Sequence, residues 1–137
     1  MLDDYEARDP INGEWYAKGR IDFDAYIQSL DNDEKGIDLP VGIVRIRHII
    51  NTPFLTNEGG HIGYDVPPSQ RGKRYGIASL NAGLQVAKEL QIIKVLLTAD
   101  DLNPSSWRTI ERCGGILERS SFSNFYNCQV RRYWIDL

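Results

Sequence analysis

The feature that most constrains this chain is the run Asp65-Val66-Pro67-Pro68-Ser69-Gln70-Arg71-Gly72-Lys73-Arg74-Tyr75-Gly76-Ile77-Ala78. Gly60 to Val66 reads as a strand, and Pro67-Pro68 must end it because neither proline can donate to a ladder. From Ile77 onward, Leu80, Leu84, Ala87 and Leu90 recur at helical spacing, which predicts a helix over about 75–90 with one apolar face. Strand, glycine-bearing loop and helix N-terminus together make an anion site. The first backbone N–H groups of a helix lack internal partners and carry the positive end of the helix dipole. A phosphate takes those donors directly, and Arg71, Lys73 and Arg74 add positive charge there. The loop does not fit the phosphate loop of nucleotide triphosphatases, since Arg follows Gly72-Lys73, nor the dinucleotide pattern G-x-G-x-x-G. Taken alone, it is equally compatible with a solvated turn.

The rest of the chain reads as alternating strands and helices. Asp22 is a candidate N-cap for a helix carrying Phe23, Tyr26, Ile27 and Leu30, after twenty polar residues without periodicity. Val41–Ile50 is strand-like and antiparallel to Gly60–Val66, with a loop over 51–59. The apolar run at 92–99 predicts a strand buried on both faces, joined to Gly60–Val66 as a parallel pair through the helix between them. Asn103 and Pro104 start a helix that directs Trp107 and Ile110 inward and stops at Gly114-Gly115. Ile116–Glu118 reads as a short strand, Ser120–Asn127 as a loop and Cys128–Ile135 as the last strand. The 137 residues fit one domain. A net charge of −3 argues against a nucleic-acid partner and makes the Arg71-Lys73-Arg74 cluster a local site for a small polyanion. Cys113 and Cys128 read as reduced packing residues, and no run approaches the length of a membrane span. The opening Leu2-Asp3-Asp4-Tyr5-Glu6 does not read as a secretion signal, so a cytoplasmic location is expected.

Arg71-x-x-Arg74-x-Gly76 resembles the pyrophosphate loop of the GNAT superfamily of acetyl-CoA-dependent N-acetyltransferases, with the pattern Arg/Gln-x-x-Gly-x-Gly/Ala. The resemblance continues through Gly60-His61-Ile62-Gly63-Tyr64-Asp65-Val66-x-Pro68, Asn103-Pro104-Ser105-Ser106 and Ile110–Glu118, and covers about residues 41 to 135. It implies a mixed α/β fold, mostly antiparallel with a central parallel pair that splays apart. It also implies an N-terminal half lacking a strand, a helix and a second strand of the usual pattern. The implied cosubstrate is acetyl-CoA, and no metal is expected. The implied acceptor is a small-molecule amine or a protein amine, attacking directly in a ternary complex. The CoA contacts implied are Tyr64, Val66, Arg71, Gly72, Lys73, Arg74, Gly76, Ile77, Asn103 and Ser106. A non-catalytic acyl-CoA-binding module of the same fold is the competing expectation.

Two positions depart from the family pattern. Arg74 stands where the loop's middle glycine is usual, so a side chain must be accommodated in a backbone conformation that favours glycine. Ile110 stands where many relatives carry a tyrosine that protonates the departing thiolate, and it has no proton to give. For the base that neutralises the amine, His61 is the candidate, against a reading as a histidine satisfied by a neighbouring backbone group. Asp65 and His48 are weaker alternatives, and Tyr126 and Tyr133 read first as packing residues. The apolar edge at 41–50 leads to the expectation of a homodimer.

Overall fold

The computed structural model describes residues 41–137. Strand β1 (Ile43–Ile46) pairs antiparallel with β2 (Ile62–Asp65), placing Ile46 opposite Ile62 and Ile43 opposite Asp65. A π-helical turn, Leu55–Gly59, lies between them, and a 3-10 turn, Pro68–Gln70, follows. Next come α1 (Tyr75–Glu89), β3 (Lys94–Asp100), α2 (Pro104–Arg112), β4 (Ile116–Ser123) and β5 (Cys128–Asp136). The last three strands form an antiparallel sheet in the order β3-β5-β4.

The helical periodicity read from the sequence translates into one core. Leu80, Gly83, Leu84 and Ala87 are the buried residues of α1. They pack with Ile62 of β2, Val95 and Leu97 of β3, Ile110 of α2, and Tyr133 and Ile135 of β5. Leu80, Val95, Leu96, Leu97, Ile110 and Tyr133 lose essentially all contact with solvent. Gly83 sets how closely α1 approaches the first sheet, because a Cβ there would lie 2.8 Å from Val44 Cγ1. At the far end of the core, the Tyr133 hydroxyl donates to Glu111 Oε1 over 2.9 Å, so the buried ring keeps its polar tip paired.

The two sheets meet at a single row. The Arg47 N–H donates to the His61 carbonyl at 2.7 Å, and the His61 N–H donates to the Leu96 carbonyl at 2.8 Å. Leu96 is opposite Trp134, and Trp134 is opposite Ile116. Past this row, β2 makes no ladder with β3 among the described residues, and the strands diverge. The expected parallel pair is thus reduced to this one junction.

Strand lengths differ from expectation in two places. The first strand stops at Ile46; the Arg47 N–H makes one more bond across to His61, and its side chain reaches the Gly59 and Gly60 carbonyls at 3.4 and 3.3 Å. The strand expected at 116–118 instead continues to Ser123 and takes in half of the expected loop. Its residues are exposed along nearly its whole length, so no inward alternation marks it in sequence; pairing with β5, through a register shift between Leu117 and Arg119, defines it. The readings of residues 1–20 and of the helix beginning at Asp22 lie outside the described residues.

Candidate active site

A cleft of about 620 Å³ opens where the C-terminal end of β2 meets the N-terminal ends of α1 and α2. Tyr64, Asp65 and Val66 line it from β2; Gln70, Arg71, Gly72 and Arg74 from the loop; Tyr75, Gly76 and Ile77 from α1. The other wall is Asn103, Ser105, Ser106, Arg108, Thr109 and Arg112, from the start and one face of α2.

Local chemistry explains the construction. The first backbone bond of α1 is Ala78 N–H to the Arg74 carbonyl, so the N–H groups of Tyr75, Gly76 and Ile77 have no partner within the helix. No side chain caps this terminus. The terminus of α2 is capped: Asn103 Oδ1 accepts from the Ser106 N–H at 3.1 Å, and Pro104 supplies the first turn without a donor to lose. The start of α1 meets α2 and Tyr64 at position 76. A Cβ at Gly76 would sit 3.6 Å from Thr109 Oγ1 and 3.8 Å from the Tyr64 ring. Tyr64 spans from β2 to α2, its hydroxyl donating to the Ser106 carbonyl at 3.0 Å and lying 3.3 Å from Ser106 Oγ. Burial pushes the Tyr64 phenol above its ordinary pKa, more than its bonds to Ser106 and Thr109 pull it down, so it remains protonated through the neutral range.

The loop cations have different tasks. Arg71 folds back to the strand it follows: its Nε donates to the Val66 carbonyl at 3.0 Å and its Nη2 lies 3.9 Å from Asp65 Oδ1. It closes the loop while still lining the cleft. Lys73 is bound to Gln70 Oε1 at 3.0 Å and is not part of the cleft wall. Every other implied CoA contact lies in that wall. Arg74 takes up the conformation that a glycine would supply, φ 66° and ψ 11°. A non-glycine residue in this left-handed region costs ~1–2 kcal/mol, and glycine gives back part of that through a freer unfolded chain. Arg74→Gly is therefore expected to stabilise the fold by about 0.5–1 kcal/mol in urea unfolding; a loss of stability would show that the Arg74 side chain makes compensating contacts.

His61 lies apart from the cleft wall. It is buried, and its Nδ1 accepts a hydrogen bond from the Leu96 N–H at 2.9 Å. Burial, then the charge of His48, lowers its pKa. Asp65 is in the cleft wall, beside Arg71. Ile110 is fully buried in the core. Tyr133 and Tyr126 are both outside the cleft wall: Tyr133 packs in the core, and Tyr126 packs edge-on against Phe125 at 4.9 Å between ring centroids.

Sequence reading missed Arg108, Thr109 and Arg112. The signal was present: Ser105, Arg108, Thr109 and Arg112 are spaced i, i+3, i+4, i+7 and form one polar face of α2. Arg108 also stacks its guanidinium 5.0 Å from the Trp107 ring centroid, and Arg131 stacks on the same ring at 4.3 Å.

Residues 2–115 match the acetyltransferase (GNAT) family, and the chain belongs to that family. No curated protein matches the chain. Among solved structures, a chimera of the Vibrio cholerae spermidine N-acetyltransferase SpeG and hSSAT is 19% identical, covers 82% of this chain and 76% of its own, and superposes with a TM-score of 0.55. An acetyltransferase-like protein from Acinetobacter baylyi is 14% identical, covering 71% of this chain and 56% of its own, also with a TM-score of 0.55. A mutant of the Vibrio cholerae spermidine N-acetyltransferase is 24% identical over 55% of this chain and 47% of its own, with a TM-score of 0.48. The chain thus spans about half the length of some of the solved structures it matches. The two superpositions at a TM-score of 0.55 show the fold. Among the described residues, no helix is long and apolar enough to cross a membrane.

Proposed function

We propose that the cleft holds the diphosphate of acetyl-CoA and that the protein transfers the acetyl group to a primary amine. The observation that carries this reading is the convergence, in one cleft, of the uncapped α1 terminus with Arg74, Arg108 and Arg112. Three open N–H donors and three guanidinium groups match a ligand with several anionic oxygens better than they match a neutral one. Val66 and Tyr64 lie where β2 has left β3, so the strand backbone there is available to an extended ligand arm. In the transfer, the amine nitrogen forms a bond to the acetyl carbon and the carbon–sulfur bond breaks, with one proton leaving the amine and one reaching the thiolate. We propose Asp65, whose carboxylate lies 3.9 Å from Arg71 Nη2 in the cleft wall, as the candidate to take the amine proton.

Isothermal calorimetry with acetyl-CoA, followed by free-thiol release across a panel of amines, tests the proposal. Binding with amine-dependent thiol release is the expected result. Binding without release on any amine would favour a non-catalytic acyl-CoA-binding module, and no binding would remove the assignment of the cleft.

A further inference from the structure

His61 makes two bonds to one residue across the junction between the sheets. Its backbone N–H donates to the Leu96 carbonyl, and its side-chain Nδ1 accepts from the Leu96 N–H. Leu96 is fully buried, so an unpaired N–H there would carry a full desolvation cost. In a regular ladder, a backbone carbonyl from β2 would take that N–H. Here the preceding residue, Gly60, has φ 65° and ψ −173° and still belongs to the turn that leads into β2, so it is not yet part of a ladder. The imidazole fills the place of the missing carbonyl. Trp134, opposite Leu96 on β5, packs against it with 6.4 Å between ring centroids.

This arrangement leaves no basic nitrogen for catalysis. Nδ1 has its lone pair on the Leu96 N–H, which assigns the ring proton to Nε2 in the neutral form. Taking a second proton would set an N–H on Nδ1 against the Leu96 N–H.

We infer that His61 is a positioning residue rather than the base expected from sequence: its imidazole completes the last rung between the two sheets and fixes the point from which β2 diverges toward the cleft. The ligand contacts of Tyr64 and Val66 follow from that point. The inference rests on the proposed function only for its acetyl-CoA arm.

The test compares His61→Asn and His61→Ala with the parent. Asparagine places Oδ1 close to the position of Nδ1 and preserves the acceptor; alanine removes it. Measured by NMR hydrogen exchange, the Leu96 amide is expected to stay protected in His61→Asn and to lose protection more than about tenfold in His61→Ala. His61→Asn is expected to keep acetyl-CoA affinity and turnover within about threefold of the parent, with the same pH profile, because no titrating group has been lost. A His61→Asn protein with intact Leu96 protection and affinity, but turnover lowered about a hundredfold and its acidic limb gone, would make His61 the base and overturn the inference. Unaltered Leu96 exchange in His61→Ala would overturn it as well. If the alanine variant does not fold, the nitrogen spectrum of the parent decides: a proton on Nε2 is expected, and a proton on Nδ1 overturns the assignment. The exchange and spectral arms stand whether or not the parent binds acetyl-CoA.

Discussion

Reversing Arg74 and Arg112 together to glutamate is expected to weaken acetyl-CoA binding by about 2–4 kcal/mol, read by calorimetry. Each charge-assisted bond is worth ~1.5–3 kcal/mol, and reversal adds repulsion to its loss. Both side chains are exposed at the cleft wall and outside the core, so the folded state should be little disturbed. Lys73→Glu is the informative comparison. Lys73 belongs to the same basic loop but is bound to Gln70 outside the wall, so its reversal should change affinity less than about fivefold. If Lys73→Glu proved as damaging as the double reversal, the polyanion would lie on the outer side of the loop, and the cleft would be the wrong site.

Gly60→Ala is expected to cost about 3 kcal/mol or more of folding stability. Two terms add. The φ of 65° with ψ of −173° lies in a region essentially reserved for glycine, at a cost of ~1–3 kcal/mol for any other residue. The added Cβ would also lie 2.5 Å from the Leu96 carbonyl oxygen, a backbone atom that cannot step aside without opening the junction between the sheets. The His61–Leu96 bonds begin one residue later, so the damage should appear both in urea unfolding and in faster exchange of the Leu96 amide. Gly63→Ala supplies the contrast: its Cβ would meet nothing nearer than Arg47 Nη1 at 3.8 Å, and its cost should stay under about 1 kcal/mol. Equal losses at the two positions would mean that the junction is not a point of close approach.

Much of the cleft was legible in the chain because its parts are local. A proline pair ends β2, unpartnered N–H groups begin α1, and Asn103-Pro104 begins α2; each signal spans only a few neighbouring residues, and the structure has each of these elements in place. The same holds for the core face of α1, where Leu80, Leu84 and Ala87 followed from periodicity alone. The missed part of the wall was a question of facing. Arg108 and Arg112 have a legible spacing, but only the approach of α2 to α1 at Gly76 turns that polar face toward the cleft.

His61 and Arg74 show where sequence stops. The chain placed a histidine at the start of β2, and its role as base or as structural group stayed open, because the answer depends on Leu96, thirty-five residues away and brought close only where the two sheets meet. It placed an arginine at the glycine position of the loop, and only the fold shows that the backbone keeps the left-handed conformation regardless. What the sequence by itself determined was the strand–loop–helix order and the apolar faces that build the core, products of short-range periodicity and capping, and, through the resemblance of its motifs, the family. What the tertiary structure decided was which cations line the cleft and which clasp the loop, how far β4 extends, and whose N–H the His61 imidazole holds. Those depend on backbone groups left unpaired when sheets separate, and unpaired groups come into being only when distant strands are brought together.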